Sequence, residues 1–126
     1  MILEDILAHI LTKYKVAPEN IFVKHPGVSV FRHKISKKWF ALLLGVKVEK
    51  IKYDDVDFDG TITLLNLKLP PGLIVLLTDN KTFLPAYHMN KRHWISINLD
   101  SPQINKGLVY DLIKQSFDLS LKEQEI

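Results

Sequence analysis

The sequence predicts one α+β domain, a two-layer α/β sandwich in which N- and C-terminal helices cover one face of an antiparallel sheet. Apolar residues recur at helical spacing near both ends of the chain, whereas the middle alternates between apolar and polar residues as strands do. The order of helix, consecutive strands, short helix, strand and helix is typical of α+β domains. A length of 126 residues suits a single domain, which we expect to span residues 1–126.

The N-terminal helix is predicted from an apolar stripe that Glu4, Asp5 and His9 interrupt. The stripe comprises Ile2, Leu3, Ile6, Leu7, Ile10, Leu11 and Tyr14. The helix should end near Tyr14, because the ring of Pro18 disfavours a helical residue before it.

Three strands are predicted next. The turn signal His25-Pro26-Gly27 precedes a strand over residues 28–35, and a turn at 36–38 leads into a second strand over 39–48. These two strands should form a hairpin. The alternating residues 60–69 predict the third strand.

The rest of the chain is predicted to add a short helix, a strand and a longer helix. Residues 72–80 fit either a helix or a strand, and Pro71 near their start favours the helix. Residues 93–99 alternate, which places His93 in phase with Ile95 and Ile97 and predicts a buried, hydrogen-bonded histidine. The C-terminal helix is predicted from Leu108, Val109, Leu112, Ile113 and Phe117.

The sheet face without helices should meet water or a partner. By strand parity this face carries Asn66, Lys68, Trp94, Ser96 and Asn98. A register shift of one residue would reverse the assignment.

The composition and the N-terminus exclude several classes of protein. The chain has no cysteine, which excludes disulfides, thiolate nucleophiles and cysteine-based zinc sites. No apolar segment reaches the about 20 residues that span a bilayer, so we expect no membrane partner. The N-terminus lacks the basic start and unbroken apolar stretch of a secretory leader, and we therefore expect a cytoplasmic location.

Residues 87–96 collect two histidines, a lysine, an arginine, an asparagine and two large aromatic residues. His88 and His93 lie five apart, but no carboxylate or cysteine nearby completes a ligand set, so we expect neither a metal site nor another cofactor. No serine lies in a G-x-S-x-G turn, and no glycine-rich phosphate loop is present. Tyr87 and His88 are candidates for a general acid or base, but the sequence fixes no partner for either, so we predict no catalytic residues and a non-enzymatic protein.

The net charge of +3 is unevenly distributed. The segment 24–52 is strongly basic and contains Glu49 as its one acid, whereas the segment 54–59 that follows is acidic. A basic segment favours a polyanionic partner such as duplex DNA. The alternative is that these lysines protect strand edges and keep the protein soluble.

Three stretches of the chain resemble the MmcQ/YjbR family of small bacterial proteins. They are Tyr87-His88-Met89-Asn90-Lys91 with His93-Trp94, then Asn66-Leu67-Lys68, then Phe31-Arg32 with Lys38-Trp39-Phe40-Ala41. The resemblance covers nearly the whole chain. It implies a fold similar to that of the bacterial frataxin homologue, and DNA binding through a double-wing arrangement.

Two functions are therefore expected. In the first, DNA binding, one basic hairpin contacts phosphates and a second surface adds further contacts, through Arg32, Lys34, Lys37 and Lys38 and through Lys68, Asn90, Lys91, Arg92 and Trp94. In the alternative, the protein is a binding module for a protein segment or a small anion, in a pocket lined by Asn66, Lys68, Tyr87, His88 and Trp94.

Overall fold

The computed structural model describes residues 2–50 and 60–122, and within these ranges it contains three α-helices and a five-stranded antiparallel sheet. The helices are α1 (Ile2–Tyr14), α2 (Pro71–Leu77) and α3 (Lys106–Lys122). The strands are β1 (Ser29–Arg32), β2 (Trp39–Lys47), β3 (Thr61–Lys68), β4 (Phe83–Pro85) and β5 (Trp94–Asn98). The predicted α+β fold with N- and C-terminal helices is confirmed. The acidic segment 54–59 lies outside the described residues.

One face of the sheet packs against the helices. The strand order is β1-β2-β3-β5-β4, and the register aligns Leu43 with Leu65 and Leu65 with Ile97. These three side chains share one apolar core with residues of all three helices, including Ile6, Ile10, Ile74, Val109, Leu112 and Ile113. Burying each such side chain contributes about 1.5–3 kcal/mol, so this face supplies most of the driving force for folding.

Helix α1 begins with acidic residues and ends with a basic one. Glu4 and Asp5 lie in its first turn and Lys13 in its last, where each charge stabilises the helix dipole. The helix stops at Tyr14 because Lys15 adopts a left-handed backbone with φ 60°. Among the described residues, each helix is too short or too polar to cross a membrane.

Strand β2 carries a bulge near its start. Phe31 pairs with Ala41, but Arg32 pairs with Trp39, so Phe40 has no opposite residue on β1. The extra residue allows both Phe40 and Ala41 to join the helix-side core, where both are fully buried. Simple alternation along β2 therefore breaks at this point.

The sequence predicted that the face opposite the helices meets water or a partner, but loops of the same chain cover most of it, so direct contact with water is wrong for most of its residues. Asn66, Trp94, Ser96 and Asn98 are buried there, and Lys68 is half-buried. Two further apolar clusters lie on this face, and partly buried side chains from neighbouring loops pack on them, among them Phe22, Val28, Tyr87 and Met89. These loops occupy the place of a second helical layer.

Several boundaries differ from those predicted. Strand β1 ends at Arg32, and the turn that follows is longer than expected, closed by a hydrogen bond of 2.9 Å from the His33 amide to the Lys38 carbonyl. Strand β4 was not predicted, because it has three residues and ends in a proline. The apolar segment that begins at Pro71 is a helix, as predicted.

His93 is exposed, and the prediction of a buried histidine is wrong. Strand β5 begins at Trp94, so the alternation that holds along the strand does not extend back to His93. Its amide instead bonds the Asn90 carbonyl at 3.2 Å and closes the turn before the strand.

Candidate binding cleft

A cleft of about 540 Å³ opens on the loop-covered face of the sheet. Its lining is mostly apolar and aromatic, and consists of Phe22, His25, Val28, Trp39, Leu42, Leu44, Asn66, Tyr87, His88 and Met89. Strands β2 and β3 contribute the central residues, and the loops before β1 and after β4 contribute the rest. The lining contains no lysine, arginine, aspartate or glutamate among the described residues.

A buried hydrogen-bond network holds one wall of the cleft. The Ser96 hydroxyl donates to Asn66 Oδ1 at 2.5 Å and accepts from the Tyr87 amide at 2.9 Å. Asn66 Nδ2 in turn donates to the Tyr87 carbonyl at 3.1 Å. Both polar atoms of the Asn66 amide are therefore engaged, and together with Ser96 they fix the backbone of Tyr87 against the sheet.

The loop after Tyr87 forms the rim of the cleft. His88 has a left-handed backbone with φ 60°, and its ring lies 4.0 Å from the Tyr87 ring, centre to centre. Lys91 Nζ donates to the Ala86 carbonyl at 2.9 Å, and Asn90 Oδ1 accepts from the Arg92 amide at 2.8 Å. These contacts hold the loop in one conformation beside the cleft.

The structure brings together three of the five residues predicted to line a pocket. Asn66, Tyr87 and His88 line the cleft, whereas Lys68 and Trp94 do not. Trp94 is 9% exposed and packs in an apolar cluster with Leu42. Sequence reasoning missed Phe22, His25 and Met89, because loop residues carry no periodic signal that assigns them to a face. It also missed Trp39, the first residue of β2.

The two predicted basic surfaces lie at the same end of the sheet. Arg32 pairs with Trp39 across the hairpin, and Lys68 pairs with Trp94 between β3 and β5. The turn 33–38 and the turn 90–93 therefore flank the end of β3. Because strands in a sheet are about 4.8 Å apart, β2 and β5 are separated by roughly 10 Å.

The predicted DNA-contacting side chains differ in their surroundings. Lys34, Lys37, Lys38 and Arg92 are exposed, whereas Trp94 is buried and Lys91 bonds the protein backbone. Arg32 is paired with Glu19, through Nη2 to Oε1 at 2.6 Å and Nε to Oε2 at 3.1 Å. The Arg32 guanidinium lowers the pKa of the Glu19 carboxyl, and this carboxylate raises the pKa of Arg32.

His33 is a buried titratable residue on the helix side of the sheet. Its Nε2 lies 2.8 Å from the Ser120 hydroxyl, and its ring lies 4.2 Å from that of Phe117. Burial lowers the pKa of His33, although the Phe117 backbone and the Asp118 charge act in the opposite direction. Within residues 2–50 and 60–122, no three histidine, aspartate or glutamate side chains are placed to hold a metal ion.

The helices and the sheet place the protein in one fold class, the two-layer α+β proteins with an open five-stranded antiparallel sheet. Within that class the chain belongs to the YjbR family, whose model matches residues 11–119.

The chain is similar to proteins from several bacteria. It is 41% identical over 117 residues to "Uncharacterized protein YyaQ" of Bacillus subtilis (strain 168), which covers 93% of this chain and 96% of YyaQ. It is 32% identical over 94 residues to "Uncharacterized protein YbdF" of Escherichia coli O157:H7, which covers 75% of this chain and 65% of YbdF.

Solved structures share its fold. A crystal structure of a Pseudomonas syringae protein is 34% identical, with a TM-score of 0.83 over 93% of this chain and 97% of that one. The Deinococcus radiodurans protein DR2400, described as domain DUF419, is 21% identical with a TM-score of 0.67 over 93% of this chain and 76% of that one, a likeness of fold alone.

Proposed function

We propose that the protein is a binding module that takes the flat, apolar part of a small organic molecule into the cleft. The observation that carries the proposal is the cleft itself, whose volume of about 540 Å³ is that of a small-molecule site. Aromatic side chains of Phe22, Trp39, Tyr87 and His88 contribute to its lining. Such rings favour a planar group through stacking and edge contacts.

The polar groups of the cleft give the ligand an orientation. One of the two Asn66 amide hydrogens bonds the Tyr87 carbonyl, and the second has no partner among the residues that the structure describes. This hydrogen is a donor for a carbonyl or ring nitrogen of the ligand. The described part of the lining holds no lysine or arginine, which favours a neutral buried group over the small anion expected from the sequence.

A panel of small aromatic compounds tests this function. Benzamide, nicotinamide and adenosine are titrated against the protein by ligand-observed NMR, with thermal unfolding as the second measurement. We expect at least one compound to bind and to raise the Tm, because a ligand of the folded state stabilises it. Failure of the whole panel to bind would contradict the proposal.

Two histidine variants locate the binding. His88→Asn removes a ring from the rim, and asparagine tolerates the left-handed backbone at this position. His93→Asn is the matched control, since His93 is exposed five residues away and does not line the cleft. We expect the first change to weaken binding several-fold and the second to leave it unchanged. Equal effects would place the compound elsewhere.

DNA binding is a second candidate, and the shared end of the two basic turns favours it. Three exposed lysines in the turn 33–38 lie at the same end of the sheet as exposed Arg92. These side chains would neutralise several phosphates of a duplex that contacts both turns.

A charge-matched pair of triple variants tests the DNA candidate. Replacing Lys34, Lys37 and Lys38 by glutamine should weaken duplex binding and reduce the slope of log K against log salt by about three, since each phosphate contact contributes about 0.9. The control removes the same charge from exposed lysines elsewhere, at Lys13, Lys47 and Lys81. DNA binding that responds equally to both triples, or is absent at low salt, would contradict this candidate.

A further inference from the structure

A groove of about 340 Å³ lies between the end of α1 and the β1–β2 hairpin, apart from the cleft. It is lined by Lys15, Val16, Ala17, Glu19, Arg32, His33, Lys34 and Lys37. Four of these residues are lysine or arginine, and Glu19 is the one acid in the described lining. The groove therefore has an excess of positive charge even after one cation is paired.

The Glu19 carboxylate sits in this groove as an anionic ligand would. Arg32 donates to both of its oxygens, at 2.6 and 3.1 Å, which is the two-point geometry that arginine makes with carboxylates and phosphates. The pKa of Glu19 is held low first by this hydrogen bond to Arg32, and Lys37 contributes in the same direction. The groove thus already binds one oxyanion, supplied by its own chain.

The backbone that carries Glu19 is fixed without the ion pair. The Glu19 amide donates to the Val30 carbonyl at 2.9 Å, and the Val30 amide donates to the Glu19 carbonyl at 2.8 Å. The Glu19 side chain is partly exposed, at 41% of its area. It can therefore leave Arg32 for water while the segment stays paired with β1.

We propose that this groove is a phosphate-binding site and that Glu19 occupies the place of the phosphate when none is bound. An incoming phosphate displaces the carboxylate, takes over both Arg32 hydrogen bonds, and gains attraction from Lys15, Lys34 and Lys37. A phosphate carries more charge than a carboxylate, and this favours the exchange. The phosphate can belong to a nucleic-acid backbone or to a free phosphorylated compound, and both present the same group.

The test compares two substitutions that each remove one acidic charge from an ion pair. Glu19→Gln frees Arg32 in the groove, whereas Asp5→Asn breaks the Asp5–Lys106 pair, which has comparable exposure and does not line the groove. Pyrophosphate and a short DNA duplex are titrated by calorimetry against the wild type and both variants. We expect Glu19→Gln to strengthen binding about fivefold, the size set by one unit charge at contact distance in water. Asp5→Asn should change it by less than twofold.

A third variant, Arg32→Gln, should weaken pyrophosphate binding about tenfold or more. Lys37→Gln serves the same purpose at an exposed position if Arg32→Gln does not fold. A gain with either probe supports the site. A gain confined to pyrophosphate identifies a free phosphorylated compound as the source, and one confined to the duplex identifies a nucleic-acid backbone. The proposal is overturned if neither probe binds Glu19→Gln, or if Glu19→Gln and Asp5→Asn have equal effects.

The proposal does not rest on ligand binding in the cleft, and it shares Arg32, Lys34 and Lys37 with the predicted DNA-contacting residues. A duplex that responds to the lysine triple but not to Glu19→Gln would leave DNA binding standing while overturning the role of Glu19.

Discussion

The two faces of the sheet are both covered, but in different ways. On the helix side, α1, α2 and α3 close one continuous apolar core. On the loop side, the apolar residues form two smaller clusters, and the Asn66–Ser96–Tyr87 network and the cleft lie among them. The comparison shows that helices fill a face completely because their side chains interdigitate, whereas loops leave space and require specific polar contacts to hold them.

The largest expected effect comes from two adjacent leucines of β2 on opposite faces. Leu43 is 8% exposed and lies in the helix-side core, and Leu44 is 6% exposed and lines the cleft. Leu43→Ala should lower the free energy of unfolding by about 3 kcal/mol, because it leaves a closed cavity. Leu44→Ala should cost about 1–2 kcal/mol less, since the space it opens is continuous with water. Urea denaturation measures both, and equal losses would contradict the difference between the faces.

The next effect concerns two buried serines, one on each face. Ser96→Ala removes a partner from Asn66 Oδ1 and from the Tyr87 amide, and Ser116→Ala removes a partner from the Phe40 carbonyl and the Lys68 amide. Each change should cost about 1–3 kcal/mol, the usual penalty for leaving buried polar groups unpaired.

Ligand binding should separate the two serine variants. Ser96→Ala releases the cleft wall, so it should also weaken the binding of an aromatic compound, whereas Ser116→Ala should not. Calorimetric titration at a temperature where both variants are folded checks this. A loss of binding in Ser116→Ala as large as that in Ser96→Ala would mean that the network does not shape the cleft.

A smaller effect is expected at the loop that forms the cleft rim. Lys91→Met keeps the aliphatic chain but removes the hydrogen bond to the Ala86 carbonyl, and it should cost about 0.5–1.5 kcal/mol. Arg92→Met is the matched change at an exposed neighbour and should cost less than 0.5 kcal/mol. Thermal unfolding measures both. Equal, negligible losses would show that the Lys91 contact does not hold the loop.

The smallest effect is a dependence on pH that arises on the helix side. The folded state lowers the pKa of His33 below its ordinary value of 6.5, so the folded protein favours the neutral ring. This contribution is fully present above about pH 6.5 and is lost as the pH falls through the folded-state pKa. His9, whose pKa burial also lowers, acts in the same direction.

His33→Gln tests the dependence on pH. The variant should lose less stability than the wild type between pH 7 and pH 5, as followed by urea denaturation. His25→Gln, at an exposed position, should retain the wild-type slope. A slope that His33→Gln leaves unchanged would assign the effect to other groups.

The sequence predicted the regular elements well because burial leaves a periodic pattern in them. The stripe from Ile6 to Ile10 and the alternation along β3 each mark one face of an element, and the structure confirms the helix and the strand. The prediction failed where periodicity ends. His93 lies one residue before β5, and the Phe40 bulge shifts the pattern within β2, so neither environment could be read from spacing.

The site was harder to predict than the fold. Tyr87 and His88 stood out by residue type, but Phe22 and His25 reach the cleft from a loop far away in sequence. Their position depends on how the loop folds over β2, which no local pattern encodes. The pairing of Arg32 with Glu19 is equally non-local. As a result, a side chain that was predicted to contact phosphate is already bonded to a carboxylate of its own chain.

The Glu19 backbone also limits how much of one sheet edge is open to another strand. An open sheet presents unpaired amide and carbonyl groups along its edge strands, and another chain can add a strand there. At one edge, the paired main chains of Glu19 and Val30 occupy part of β1. At the other, β4 has three residues and ends at Pro85, which has no amide hydrogen to offer. Both edges of the sheet are therefore poor templates for strand addition. At one of them, the main chain of Glu19 blocks part of the edge while its side chain lines the neighbouring groove.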